Sequence, residues 1–372
     1  MKKALIVTTI SGFVPQFEMP NVYTLQSMGY EIHYASNFHT PIYGYDNKRL
    51  DNTGIICHQI DFVKSPYQLI KIIKAYKQLL RLIREEQIDL IHCHTPVGGV
   101  LGRLAGRVCE VKVIYTAHGF HFYTGGPLLN WLIYYPIEKF LSRYTEVLIT
   151  INQEDFLRAK KFHSCRVTQI NGVGLHTEQY QRCNIDRAQK CYELGIDSEQ
   201  FILCSVGEIN RNKNHEVVMK ALYELKNKDI LYLICGDGPY KEHLKKLAEQ
   251  LDIKNQVLFL GYRSDVKEIL SISDCFAFPS RREGLGMAAL EAMAAGLPLL
   301  VAASRGTREY AEDGKTGFVY QYNDYKGFAE GLKKMIEDPN LRKTMGKYNQ
   351  KCIAKFDINN VTSKMEKVYK SI

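Results

Sequence analysis

Short apolar runs alternate with longer amphipathic stretches along almost the whole chain. Residues 3–8, 31–35, 88–93, 111–116 and 146–150 are runs of five or six mostly apolar positions. They are too short for helices and lack strict apolar-polar alternation, so they read as strands covered on both faces. Between them, residues 17–28, 67–85, 97–108 and 127–144 carry apolar side chains at three- and four-residue steps and read as helices. The second half repeats the rhythm, with strands expected at 201–206, 231–235, 257–260, 275–278 and 299–302 and helices at 215–226, 241–249, 266–271 and 287–295. Such alternation predicts mainly parallel sheets with helices on both sides.

A chain of 372 residues exceeds what one hydrophobic core usually organises, so two domains of roughly 170 to 190 residues are expected. The least apolar segment is 172–200: Asn171-Gly172-Val173-Gly174 breaks the first pattern and Gln200-Phe201 restarts it. The expected fold class is therefore α/β, with two doubly wound Rossmann-like domains, 1–172 and 173–354, and a hinge at 172–176. Ligands of open parallel sheets sit beyond the carboxyl ends of the strands, so two such domains facing each other imply a cleft with two ligand-bearing walls.

Composition narrows the class. With 45% hydrophobic and 24% charged residues the chain has ample core and is not disordered or fibrous. No apolar run reaches the roughly 18 uncharged residues of a membrane span, and Met1-Lys2-Lys3 leads straight into a strand-like run, so a cytosolic protein is expected. The ten cysteines form no Cys-x-x-Cys pair, and Cys93, Cys204, Cys235 and Cys275 fall in expected strands, as reduced core thiols do. Cys93 lies between His92 and His94, but strand alternation sends the histidines to one face and the thiol to the other, which argues against a zinc site. Residues 1–172 hold 19 basic and 13 acidic side chains, a surplus of six within a net charge of +9. An anionic surface suits that half, whereas no nucleic-acid-binding module is recognisable.

The chemistry concentrates after the strand at 275–278. Pro279-Ser280-Arg281-Arg282-Glu283-Gly284-Leu285-Gly286 reads as a loop, followed by an Ala-rich helix closed by Gly296 and Pro298. The amides of Gly284, Leu285, Gly286 and Met287 point out of a helix N-terminus, which favours an anion such as phosphate. Glu283 lies in the loop and Glu291 inside the helix. Phosphate repels carboxylates, so these two are expected to accept hydrogen bonds from neutral sugar hydroxyls. Glu283-x7-Glu291, preceded by Phe-Pro-Ser and followed by Ala-Gly-Leu-Pro, resembles the signature of retaining, nucleotide-sugar-dependent glycosyltransferases of family four, which have the two-domain GT-B fold. In that fold the last helix returns to the first domain, which here implicates residues 355–372.

The resemblance extends over nearly the whole chain. Thr116-Ala117-His118-Gly119-Phe120-His121 is similar to the family segment whose histidine faces the transferred sugar, and that residue corresponds to His118, with His121 a weaker candidate. Gly207-Glu208-Ile209-Asn210-Arg211-Asn212-Lys213 is similar to the loop that supplies cations to the leaving diphosphate. Lys213 matches the usual lysine, Glu208 replaces the usual arginine, and Arg211 stands nearby. Gly236 in Gly236-Asp237-Gly238-Pro239 makes a tight turn after a strand, and Gly261-Tyr262-Arg263 follows another, with Tyr262 and Arg263 implied beside the base. Gly12, in Thr8-Thr9-Ile10-Ser11-Gly12-Phe13, opens a turn that can approach a diphosphate, although it matches Gly-x-Gly-x-x-Gly poorly and so argues against a nicotinamide dinucleotide.

No Asp-x-Asp occurs, so cations and a helix N-terminus are expected to replace a metal clamp, with no metal and no cofactor beyond a nucleotide-sugar donor, a UDP-N-acetylhexosamine type by expectation. Lys71, Lys74, Lys77, Arg81 and Arg84 line one face of the 67–85 helix, and aromatic and apolar residues from 120 to 144 accompany them. This pair could lie on an anionic bilayer or simply pack on its own sheet. The wording of the motifs is similar to bacterial enzymes that build capsular or extracellular polysaccharide on a polyprenyl-diphosphate lipid, which implies a lipid-linked saccharide acceptor and a place at the inner face of the cytoplasmic membrane. A nucleotide-sugar epimerase of the same architecture and a non-catalytic nucleotide-sugar or membrane-binding scaffold are the competing readings.

Overall fold

The computed structural model describes residues 1–39, 41, 46–65 and 67–372. They form two compact units, Met1–Gly174 with Ile358–Ile372, and Leu175–Asp357. The expected borders were 172/173 and 354/355; the units divide at 174/175 and 357/358 instead. The difference has a local cause. The Leu175 N–H donates to the Phe356 carbonyl, and Thr177 Oγ1 donates to the Asp357 carboxylate at 2.5 Å. The second unit is thus tied start to finish just inside its own ends.

The first unit runs β1 (Lys2–Val7), α1 (Met19–Ser27), β2 (Tyr30–Ser36), β3 (Ile55–Gln59), α2 (Leu69–Glu85) and β4 (Leu90–Cys93). It continues through α3 (Pro96–Cys109), β5 (Lys112–Ala117), α4 (Leu128–Leu141), β6 (Val147–Thr150), α5 (Gln153–Ala159) and β7 (Arg166–Gln169). Its seven strands lie in the order β3-β2-β1-β4-β5-β6-β7 and pair in parallel throughout. The central strands are buried on both faces, which is why they read as unbroken apolar runs, whereas the edges β3 and β7 are partly exposed and mixed in composition.

The second unit comprises α6 (Thr177–Gln181), α7 (Arg187–Leu194), β8 (Phe201–Val206), α8 (His215–Leu225), β9 (Ile230–Cys235), α9 (Lys241–Gln250), β10 (Val257–Gly261) and α10 (Val266–Ser271). Then follow β11 (Cys275–Phe278), α11 (Met287–Ala294), β12 (Leu299–Ala302), β13 (Gly317–Tyr320), α12 (Tyr325–Glu337) and α13 (Pro339–Cys352). Its parallel sheet has the order β10-β9-β8-β11-β12-β13. A last helix, α14 (Ile358–Lys370), belongs to the first unit. Strand order reverses beside β1 and β4 in one unit and beside β8 and β11 in the other, and ligands bind past the carboxyl ends of strands at such points.

The stretch 172–200, the least apolar of the sequence, holds α6 and α7, both within the second unit. Polar contacts fix α7: Arg187 donates to the carbonyls of Ser198, Gln200 and Ile272, and Lys190 pairs with Asp265 at 2.8 Å and Glu268 at 2.6 Å. In the first unit, Arg103 of α3 is fully buried. Its Nη1 meets Glu138 Oε2 at 2.8 Å, and its guanidinium lies 4.0 Å from the Tyr115 ring centroid. By turning Glu138 inward, α4 leaves Leu128, Leu132 and Phe140 at 80%, 74% and 50% exposure. All ten cysteines are free thiols; Cys93, Cys204, Cys235 and Cys275 are buried, but Cys57 and Cys165 are exposed. No helix among the described residues is long and apolar enough to cross a membrane.

Candidate active site

In the second unit, two loops leave the sheet where its strand order reverses, one after β8 and one after β11. Backbone and side chains stitch them together. Arg281 N–H donates to the Asn212 carbonyl at 2.8 Å, Asn212 Nδ2 to the Arg282 carbonyl at 2.9 Å, and Asn214 Nδ2 to the Pro279 carbonyl at 3.1 Å. Across this seam Lys213 Nζ meets Glu283 Oε1 at 2.8 Å and sits 4.9 Å from the Phe278 ring centroid. The two residues assigned from sequence to diphosphate and sugar therefore bond each other. The stem of Lys213 crosses Gly207, where a Cβ would stand 3.1 Å from Lys213 Cε. Gly236 is required more strictly still: with φ +146, its Cβ would lie 1.9 Å from the Gly207 carbonyl oxygen.

Gly286 forms the N-cap of α11 with φ +94, and a Cβ there would meet the Phe278 ring at 2.6 Å and the Tyr310 hydroxyl at 3.0 Å. Having no side chain to cap with, it leaves the leading amides of α11 available to an anion. Leu285 is buried beneath this turn, and Arg305 Nε donates to the Glu283 carbonyl at 3.3 Å. Glu291 lies one turn into α11. Desolvation pushes its carboxyl up to about 7, against a partial downward pull from the Tyr180 hydroxyl. At the helix end, Gly296 and Leu297 amides bond back to the Met293 and Ala292 carbonyls, each at 3.0 Å, closing the helix as the sequence implied.

Other assigned residues are engaged differently. The Arg263 guanidinium holds Asp265 through two nitrogens, at 2.8 and 2.5 Å, so it belongs to the ion network around α7, while Tyr262 is 60% exposed beside it. Arg211 is exposed and lies 5.8 Å from the Tyr240 ring centroid, and Glu208 accepts from Asn210 Nδ2 at 3.1 Å. Gly12 is buried in a turn whose neighbouring carbonyls, Ile10 and Ser11, accept from the Tyr34 hydroxyl at 3.0 and 2.9 Å.

In the first unit the loops after β1, β4 and β5 gather polar groups. His118, 22% exposed at its side chain, stands 3.1 Å from His94 Nδ1 and 3.4 Å from Glu18 Oε1, measured from its Nε2. The edge of Phe13 packs on it at 5.0 Å between centroids. His92 is bonded at both nitrogens, to Tyr369 of α14 at 2.9 Å and Thr116 Oγ1 at 2.8 Å, and burial holds its pKa down at about 3, so it is neutral. Burial likewise holds His94 well below its usual range. Cys93 points the other way, toward the Gly99 and Ile114 carbonyls. His121 stacks on Tyr134 of α4, 4.7 Å away, and is not part of this group.

Glu18, Tyr180, Arg305 and Tyr310 were not foreseen, and His94 entered only through its place beside Cys93 at a strand end. Arg305 follows the end of β12, so the strand-end rule could have found it; Glu18, Tyr180 and Tyr310 come from helical or turn segments with no local motif.

Residues 186–352 match the family model described as glycosyl transferases group 1, and residues 4–152 match one described as glycosyl transferase 4-like. The chain is 36% identical over 376 residues to the Bacillus subtilis glycosyltransferase EpsD, spanning 99% of this chain and 96% of that one. It is 30% identical over 311 residues, 81% of this chain and 80% of the relative, to an Escherichia coli UDP-Gal:alpha-D-GlcNAc-diphosphoundecaprenol alpha-1,3-galactosyltransferase. Among solved structures, Anabaena HepE in complex with UDP-glucose superposes with a TM-score of 0.84 at 18% identity over the full length of both chains, a likeness of fold.

Proposed function

The chain belongs to the group 1 glycosyl transferases, and from that premise we propose that it transfers a hexosyl group, of the N-acetylhexosamine type, from a UDP-sugar to a polyprenyl-diphosphate-linked saccharide during bacterial surface-polysaccharide synthesis. The glycosyltransferase class and the GT-B fold of two Rossmann-like domains are established by the relatives and the topology. The donor and acceptor classes rest on the E. coli relative, whose name states a UDP-sugar donor and a diphosphoundecaprenol acceptor.

The observation that carries the reading is the Lys213–Glu283 ion pair at the mouth of α11. An arriving diphosphate competes for the Lys213 ammonium and releases the Glu283 carboxylate to accept from sugar hydroxyls. Lys213 and the leading amides of α11 then offset charge on the departing phosphate, a preorganised arrangement that works without a metal clamp. Glu291 takes the ribose hydroxyls, and Arg305, packed on the Glu283 backbone, adds positive potential. Retention follows if the acceptor hydroxyl attacks from the face the diphosphate leaves. Its proton passes to the departing phosphate oxygen, the anomeric carbon–oxygen bond breaks as the new one forms, and Glu283 orients the sugar; a sugar contact for His118 rests on its motif resemblance alone. The exposed α4 side chains and the Lys71 and Lys77 cations of α2 support peripheral contact with an anionic bilayer bearing the acceptor. None of the relatives named above is an epimerase, and no side chain of the site favours that reading or a scaffold.

The test is calorimetric titration with UDP, with and without EDTA, against GDP, ADP and NAD, using Glu291→Ala as control, followed by transfer to a polyprenyl-diphosphate saccharide with the product anomer read by NMR. Selective, EDTA-insensitive UDP binding that weakens in the variant, with an α-linked product, supports the proposal. NAD binding, a metal requirement or an inverted product overturns it.

A further inference from the structure

Three side chains at the carboxyl edge of the first sheet converge on one point. Glu18 ends the turn before α1, His94 follows β4 and His118 follows β5. His94 Nδ1 and His118 Nε2 are 3.1 Å apart, and Glu18 Oε1 stands 3.5 Å from the first and 3.4 Å from the second. The His94–His118 contact fits a hydrogen bond, but both carboxylate contacts exceed the usual N–H···O range of about 2.7 to 3.2 Å, so hydrogen bonding leaves the place of Glu18 in the triangle unexplained. Around a tetrahedral ion with bonds of about 2.0 to 2.1 Å, neighbouring donors stand about 3.3 Å apart. The three separations are those of one face of such a tetrahedron.

The geometry points to a binding site for a divalent ion of the zinc class, held by Glu18, His94 and His118, whose occupancy inhibits transfer by withdrawing the His118 imidazole from the sugar. Two imidazoles and one carboxylate favour zinc, cobalt or nickel over magnesium and calcium. His118 is the partly exposed member, so ion and water can reach the fourth corner from solvent. Asn21 Nδ2 donates to Glu18 Oε2 at 2.5 Å and orients the carboxylate. His94 Nε2, buried, has no hydrogen-bond partner among the described residues, so that ligand lacks the outer support worth about 10- to 100-fold in affinity. The site is accordingly a reversible one rather than a structural one. A second group, His33, His58 and Glu86, is less suited: Glu86 already pairs with the Lys3 ammonium at 3.3 Å, and its carboxylate is 3.9 Å from His33 Nδ1.

The coordination stands on geometry alone; the inhibitory role rests on the proposed contact of His118 with sugar. Cobalt titration of the purified chain is expected to give one equivalent bound, with the intense visible absorption of four-coordinate cobalt, displaced by zinc. That signal should fall at least tenfold in affinity in Glu18→Gln and in His94→Ala and persist in His58→Ala, with UDP binding by the second unit retained in all three as the check on folding. Zinc should abolish turnover reversibly to chelator without altering UDP affinity. Absence of the cobalt spectrum, its survival in both site variants, or its loss in His58→Ala overturns the site. Cobalt binding with undiminished turnover under saturating zinc overturns the inhibitory role. If no transfer is detected while the cobalt spectrum behaves as expected, the assigned reaction fails and the coordination site does not.

Discussion

Replacing Glu291 by glutamine should change the pH dependence of both stability and nucleotide binding in a way no solvated glutamate would. Burial raises this carboxyl from 4.5 to about 7, so the ionised form is disfavoured in the folded chain. Below pH 4.5 the group is neutral in both states and costs nothing. As pH rises from 4.5 to 7 the unfolded chain ionises first, and stability is lost at up to about 1.4 kcal/mol per unit, reaching roughly 3 kcal/mol above pH 7. Glu291→Gln cannot ionise, so its stability relative to wild type should climb by about that amount between pH 4.5 and 8 and then level off. In thermal scans this is a relative gain of roughly 6 to 12 °C for a domain of 150 to 250 residues. UDP binding should move oppositely. If the ionised carboxylate accepts from ribose, only about a tenth of the sites are competent at pH 6, and wild-type affinity should rise about tenfold from pH 6 to pH 8. The phosphate of UDP also titrates near pH 6, so the quantity to read is wild type minus variant at each pH. Parallel stability curves for the two proteins would refute the argument, because they would mean that Glu291 is ionised at its ordinary pKa in the folded chain.

Lys213→Ala should lower kcat for transfer by about 10² to 10³, the usual loss when one charge-stabilising donor is removed, read by steady-state kinetics on the UDP-sugar. Glu138→Ala leaves the Arg103 guanidinium buried and unpaired and should destabilise the first unit by about 3 to 5 kcal/mol in denaturant titrations, much of it recovered by the double change Arg103→Met and Glu138→Leu. Gly236→Ala should cost at least about 2 kcal/mol and remove UDP binding by calorimetry, since its Cβ would collide with the Gly207 carbonyl.

What could be read from the sequence follows from where each element is buried. Central strands such as β4, β8 and β11, enclosed on both faces, declared themselves as apolar runs, and α11 was marked by its flanking glycines and proline. The edge strands β3, β7 and β13 were not visible, because half-exposed side chains such as His58, Arg166 and Tyr320 erase the apolar run without imposing alternation. Helix α7 was hidden for another reason: Arg187 and Lys190 anchor it through carbonyls and carboxylates scattered between residues 198 and 272, a long-range match no window can register. In the site, Lys213, Glu283 and Glu291 could be named because the motif spacing carries them. That Lys213 and Glu283 bind each other could not, since it depends on two loops 70 residues apart being stitched by Asn212 and Asn214. Glu18 and His94 join His118 only through the pairing of β1, β4 and β5.

Because α14 belongs to the first unit, that unit can finish folding only after the second, although most of its sequence is made before it. Its N-terminal 174 residues can build a sheet as they emerge from the ribosome. The side of α1 that receives α14, and the His92 imidazole that bonds Tyr369, must nevertheless wait for the remaining 198 residues. At synthesis rates of about 5 to 20 residues per second, that delay is roughly 10 to 40 s. The second unit, contiguous from Leu175 to Asp357, completes within it. A nascent chain therefore passes through a stage in which the unit expected to read the nucleotide is finished while the other still exposes an apolar seam, a natural point for a chaperone to engage and for a truncated product to fail.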